Sequence, residues 1–153
     1  MADVRWLDDR EARLWQAYRG LTRELQRAFE QQLERDAGLS GAEYAVLAPV
    51  SEAEDGVIRM RELGRQVGWD RSRLSHQVKR MEKRGLVTRE DCAEDARGAM
   101  VRVTAAGRAA IEAAAPEHVA AVRRHFFDRL SERDQATLTR LFERLLDGLG
   151  EDG

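Results

Sequence analysis

Apolar side chains recur every seven residues at Leu7, Leu14, Leu21 and Ala28, and Ala17, Tyr18, Leu25, Phe29 and Leu33 fill the same stripe. Arg and Glu hold the opposite side, so the spacing predicts one long amphipathic helix over residues 6–36, with Gly38 as its stop. Ser40 followed three positions later by Glu43 has the form of a capping box, and it opens a second helix carrying Tyr44, Val46, Leu47 and Val50. Pro49 falls inside that pattern, where a missing amide predicts a kink. The acidic residues 52–56 read as a loop and Val57-Ile58-Arg59 as a very short strand.

Two short helices come next. Residues 60–66 turn Leu63 and Val67 inward, and Gly68-Trp69-Asp70 makes a turn in which Asp70 caps a helix over 71–84. Leu74, Val78 and Met81, at i, i+4 and i+7, form its narrow buried line, and Gly85 ends it. Period-two alternation in 86–90 and again in 100–103 predicts a β-hairpin with a long polar tip. Thr104 caps a helix with Ile111, Val119, Val122 and Phe126, which Pro116 is expected to break or bend. Ser131 caps a last helix bearing Leu138, Leu141, Phe142, Leu145 and Leu149 on one side. The order predicts a mainly α (α+β) fold: a winged helix-turn-helix lobe over 40–104, with helices at 6–36 and 105–149 left to pair, all within one domain of 153 residues.

Composition excludes several classes. The longest apolar runs are a few residues, against the roughly 20 a membrane crossing needs. The first residues run into charged sequence with no apolar signal core, so the expected location is cytoplasmic. The single cysteine, Cys92, supports neither an intrachain disulfide nor a cysteine zinc site, and an incidental thiol is its ordinary reading. His118 and His125 are two helical turns apart, so no ligand spacing for a metal is present. Phosphate loops and nucleophile elbows are absent, so no enzyme, cofactor or metal is expected.

Net charge is only −2, yet its distribution is uneven. Ten basic residues stand against three acids between Arg59 and Arg89, an excess of seven positive charges that the rest of the chain more than offsets. A basic segment in an acidic body suits a protein that meets a polyanion with one surface, although a solvated helix has the same count. The outer side of the 71–84 helix carries Arg71, Ser72, Arg73, Ser75, His76, Gln77, Lys79 and Arg80, with no large apolar group among them. Its first turns have the donors and acceptors that read base edges in a major groove, and Lys79, Arg80, Lys83 and Arg84 follow where phosphates would lie. In the hairpin tip, Arg97 is placed to enter a minor groove, with Asp95 supporting it; a solvated turn with a weak surface ion pair is the alternative.

The run Arg61-Glu62-Leu63-Gly64, then Gly68-Trp69-Asp70-Arg71-Ser72-Arg73-Leu74-Ser75 and Val78 to Val87, resembles the MarR family of bacterial transcription regulators. Asp95-Ala96-Arg97-Gly98 and Thr104-Ala105-Ala106-Gly107 resemble that family's wing signature and the T-x-x-G after it. The resemblance implies a homodimer of interlocked terminal helices, a recognition helix in each of two major grooves, wing contacts from Arg97 with Asp95, and often repression relieved by an aromatic or phenolic ligand.

The residues give their own reason to pair: the terminal helices carry more apolar surface than a small winged lobe can cover. Two-fold symmetry then predicts a pseudo-palindromic site in double-stranded DNA, with reading helices about 34 Å apart. Trp15, Tyr18, Tyr44, Trp69 and His118 are the candidate lining of a small-molecule pocket, plain packing being the alternative for each. The rival function is a winged helix that binds protein instead of DNA, which would replace the donors on the reading helix by apolar surface.

Overall fold

The computed structural model describes residues 4–91 and 98–151. The elements are α1 (Asp9–Ala37), α2 (Gly41–Glu52), β1 (Val57–Arg59), α3 (Met60–Val67), α4 (Arg71–Lys83), β2 (Val87–Asp91), β3 (Ala99–Val103), α5 (Ala105–His125) and α6 (Glu132–Glu151), with single 3-10 turns before β1 and α6. The sheet is antiparallel in the order β1-β3-β2, with Ile58 opposite Val101 and Val87 opposite Val103.

Side-chain chemistry sets most of these boundaries. Ser40 Oγ accepts from the Glu43 amide while Glu43 accepts from the Ser40 amide, a complete capping box at the start of α2. Asp70 and Thr104 cap α4 and α5 in the same way, each accepting from the amide three residues on. A second capping box, Asp8 with Glu11, starts α1 three residues later than the apolar stripe suggests. Neither proline ends its helix, so of the two outcomes expected at Pro116 the break does not occur. Helix α2 continues three residues beyond Pro49, and Pro116 lies inside an unbroken α5. A proline removes one backbone bond, and both helices run on through that loss.

The core is shared by α2, α3, α4 and the sheet. Val46, Leu47, Val50, Leu63, Val78, Met81 and Val101 are fully buried, and Leu33, Leu39, Ile111 and Ala114 join them from α1, its exit and α5. Each large side chain so withdrawn contributes about 1.5–3 kcal/mol. Helix α5 packs on α1 and α2 and so ties the lobe to the long first helix. Gly107 sits where α5 meets the hinge of the wing: a Cβ there would lie 2.0 Å from the Leu86 carbonyl oxygen. That oxygen accepts from both the amide and the hydroxyl of Thr104, so Thr104 and Gly107 form one joint.

Candidate nucleic-acid interface

Helix α4 is held from below by Leu74, Val78 and Met81, each 1% exposed or less. Asp70 Oδ1 takes the Arg73 amide at 2.9 Å, and Gly85, in the left-handed region, lets the Leu86 amide return to the Met81 carbonyl. Arg71, Ser72, Arg73, His76, Lys79 and Arg80 line the open side, and Ser75 is half-buried beside them. Gln77 does not belong to that side. It is 5% exposed, and its Oε1 accepts from Arg80 Nη2 at 2.7 Å, so it steadies a neighbour instead of facing outward.

Trp69 is likewise relocated. The guanidinium of Arg73 lies 4.2 Å from the centre of its ring, a cation–π stack that holds the arginine at the first turn of α4. Strand β2 is fastened to the same helix: the Arg89 amide donates to Glu82 Oε1 at 2.9 Å, and Arg89 Nη1 reaches Ser75 Oγ at 3.5 Å. In the hairpin Arg102 Nε donates to Glu90 Oε1 at 2.7 Å, and this bond holds the Glu90 carboxyl below the usual range. Both partners are partly exposed, so the pair orders the wing more than it stabilises the fold. Cys92, Asp95 and Arg97 lie outside the described residues.

Arg84 follows the last turn of α4 and turns away from Lys79, Arg80 and Lys83. Its Nη1 donates to the Glu43 carboxylate and its Nη2 to the Gly38 carbonyl, which removes it from the row of phosphate anchors. Nothing in the spacing of the sequence points to this pair, because its members are 41 positions apart.

The five aromatic pocket candidates do not converge. Tyr44 and His118 meet with ring centres 4.4 Å apart, and Phe29 packs edge-on against His118. His118 Nδ1 is 3.1 Å from Oε1 of the buried Gln32. Burial lowers the His118 pKa, and burial followed by the Glu52 charge raises that of Tyr44. Tyr44 also edges a cavity of about 170 Å³ between α2 and α5, with Ser51, Glu52, Ile111 and Glu112. Trp15 and Tyr18 instead stack on each other on the exposed first half of α1. Among the described residues, no group of three or more His, Cys, Asp or Glu is placed to hold a metal ion, and no helix is long and apolar enough to cross a membrane.

A helix seated by one apolar line with its cationic side open, a short helix before it and a hairpin fastened beside it define a winged helix-turn-helix. A family model described as MarR family matches residues 37–98. The MarR family transcriptional regulator Sco3205 from Streptomyces coelicolor, solved in complex with DNA, is 38% identical over 97% of this chain and 93% of its own, with a TM-score of 0.91. AbsC, a MarR family transcriptional regulator from the same organism, is 36% identical over 97% and 99%, with a TM-score of 0.92. The transcriptional regulator PcaV, also from Streptomyces coelicolor and solved with its natural ligand, is 26% identical over 83% and 89%, with a TM-score of 0.69. No curated protein matches the chain. The chain belongs to the MarR family, whose members are transcription regulators and not enzymes.

Proposed function

We propose that the protein is a transcriptional regulator that binds double-stranded DNA as a homodimer, presenting α4 of each subunit to a major groove of a pseudo-palindromic site. The observation that carries this reading is the open side of α4, where Arg71, Arg73, His76, Lys79 and Arg80 stand without an apolar side chain among them. Arg73, stacked on Trp69, is the base reader in this scheme, since a guanidinium can hold guanine with two bonds. Lys79 and Lys83 anchor phosphates, Arg97 enters the adjacent minor groove and Asp95 supports it. That Sco3205, at 38% identity, was solved in complex with DNA supports the DNA-binding reading.

Repression, with release by a small aromatic ligand, is the regulatory mode we infer. The space between α2 and α5 beside Tyr44 is the place for that ligand, and the ligand-bound PcaV structure supports a sensing role. The protein-binding alternative gains nothing from α4, which lacks the apolar surface it requires.

Selection of bound sequences from a random duplex pool tests the reading. The expected product is an inverted repeat with half-sites about one helical turn apart, bound with an affinity that falls steeply as salt rises. Enrichment of no sequence, or binding that salt leaves unchanged, overturns it.

A further inference from the structure

We propose that Glu43 and Arg84 form a clamp that fixes the orientation of the reading helix, so that Arg84 is a positioning residue and not a phosphate contact. The inference rests on the DNA-binding reading above. The last arginine of this basic helix sends its charge away from the open side of α4. Both oxygens of the Glu43 carboxylate accept from Arg84 Nη1; the Glu43 side chain is 9% exposed and that of Arg84 50%. The same carboxylate accepts from the Ser40 amide at 3.0 Å and so closes the cap of α2. Arg84 Nη2 completes the arrangement by donating to the Gly38 carbonyl at 3.3 Å, at the residue that ends α1. One ion pair therefore gathers the end of α1, the start of α2 and the end of α4.

Three apolar contacts in a line resist separation of α4 from the core but resist rotation about that line weakly, because dispersion and burial have no direction. A charge-assisted bond from an arginine does have one. The Glu43 end of the pair is shielded from solvent while the Arg84 side chain is half-exposed, so solvent screens the pair from one side only. Asp70 caps the first turn within the helix itself, and Arg84 ties the end behind the last turn to the α1–α2 corner. Base-edge hydrogen bonds tolerate errors of a few tenths of an ångström, whereas attraction to the phosphate array falls off over several ångströms. A clamp of this kind therefore governs sequence-specific affinity and leaves non-specific affinity nearly untouched.

The test compares wild type with Glu43→Gln, Arg84→Ala and the double variant on two probes: the duplex that the wild-type chain selects from a random pool, and a scrambled duplex of equal length. Affinities are read at several salt concentrations, well below each variant's melting temperature. Glu43→Gln keeps an oxygen for the Ser40 amide, so α2 stays capped, and it removes no positive charge. We expect each single variant to bind the selected duplex about tenfold more weakly and the scrambled one within about twofold of wild type, with an unchanged slope of log affinity against log salt. The double variant should be no worse than either single one, as for two halves of one device.

An equal loss on both probes in Arg84→Ala, a slope shallower by about 0.9, and a neutral Glu43→Gln would make Arg84 a phosphate contact and overturn the clamp. Lower melting temperatures with wild-type affinity on both probes would reduce the pair to a fold-stabilising bridge, which also overturns it. A wild-type chain that selects no duplex removes the DNA-binding reading itself, and the clamp's role with it; the other two failures leave wild-type binding intact.

Discussion

Helices α4 and α6 are written in the same style, an apolar line along a charged rod, and they end in opposite states. In α4 the line is spent inside its own chain: Leu74, Val78 and Met81 are buried and what remains outside is polar. In α6 the line is left open, with Phe142 at 43%, Leu145 and Leu146 at 65% and Leu149 at 73% exposure. The first half of α1 repeats the second case with Leu14, Trp15, Tyr18 and Leu21, as does Leu7 just before it. A helix whose free side is cationic suits a polyanion in water; a helix whose free side is apolar needs another apolar surface. Interlocking two copies through α1, α5 and α6, as the proposed homodimer does, withdraws that surface at about 25 cal/mol per Å². The lobe is closed by its own sequence, and in the proposed homodimer the ends are closed by a second copy of it.

The most damaging way to break the contrast is to open the lobe at its joint with α5. Gly107→Ala drives a methyl group into the Leu86 backbone, which no rotamer change can relieve. Both Leu86 and Gly85 are held by Thr104, so the whole joint must move. A loss of about 3 kcal/mol or more in urea unfolding is expected. Stability within about 1 kcal/mol of wild type would mean that α5 is free to shift and that the lobe is less closed than its burial suggests.

The opposite change leaves the lobe alone and attacks the ends. Leu145→Asp with Leu149→Asp places two carboxylates on the open line of α6. Sedimentation should show a single chain where wild type shows two, and affinity for the selected duplex should drop about 100-fold as one half-site is lost, an effect of about 2.7 kcal/mol. A dimer that survives this substitution would place the pairing surface elsewhere.

What was legible in the chain follows the same division. Caps and turns are local chemistry, so Ser40 with Glu43, Asp70, Gly85 and Thr104 mark element ends within a residue or two. The line Leu74, Val78, Met81 gives the buried side of α4 but not its width, and Gln77, next to that line, falls under the core's edge. Pro49 and Pro116 carry a strong local signal, yet neither ends its helix. Trp69 has the look of a pocket residue until the fold stacks Arg73 on it. Arg84 was the least legible, because beyond the last helical turn no periodicity fixes where a side chain points, and its partner belongs to another helix.

The division of labour on α4 offers a finer test. Arg73→Ala should cost about 1–3 kcal/mol on the selected duplex and relax preference at one base position, because it removes a reader. Lys83→Ala should weaken every duplex alike and lower the salt slope by about one, because it removes an anchor. Trp69→Ala, which frees Arg73 without removing it, should resemble a milder Arg73→Ala. Identical profiles for Arg73→Ala and Lys83→Ala would erase the distinction between reader and anchor.

The smallest expected effect is a dependence on pH at the boundary between lobe and ends, where His118 lies against Tyr44 and Phe29. Burial lowers its folded pKa, whereas the unfolded chain keeps the ordinary value near 6.5. Above that value the ring is neutral in both states and contributes nothing that varies. As pH falls through 6.5 the unfolded chain takes up a proton that the folded chain resists, so stability drops, and the loss is complete once the folded value is passed. Four carboxyls pulled low by their hydrogen bonds, Asp36, Glu62, Glu90 and Asp134, lose their contribution only below the ordinary 3.8–4.5 range, which leaves the histidine window separate. His118→Asn keeps a donor for Gln32 Oε1 and carries no titrating ring. Melting temperatures of the variant should therefore fall less steeply than those of wild type between pH 7 and about pH 5.5. Parallel curves would show that water reaches the ring freely and that α5 sits more loosely on α1 and α2 than the Tyr44 contact implies.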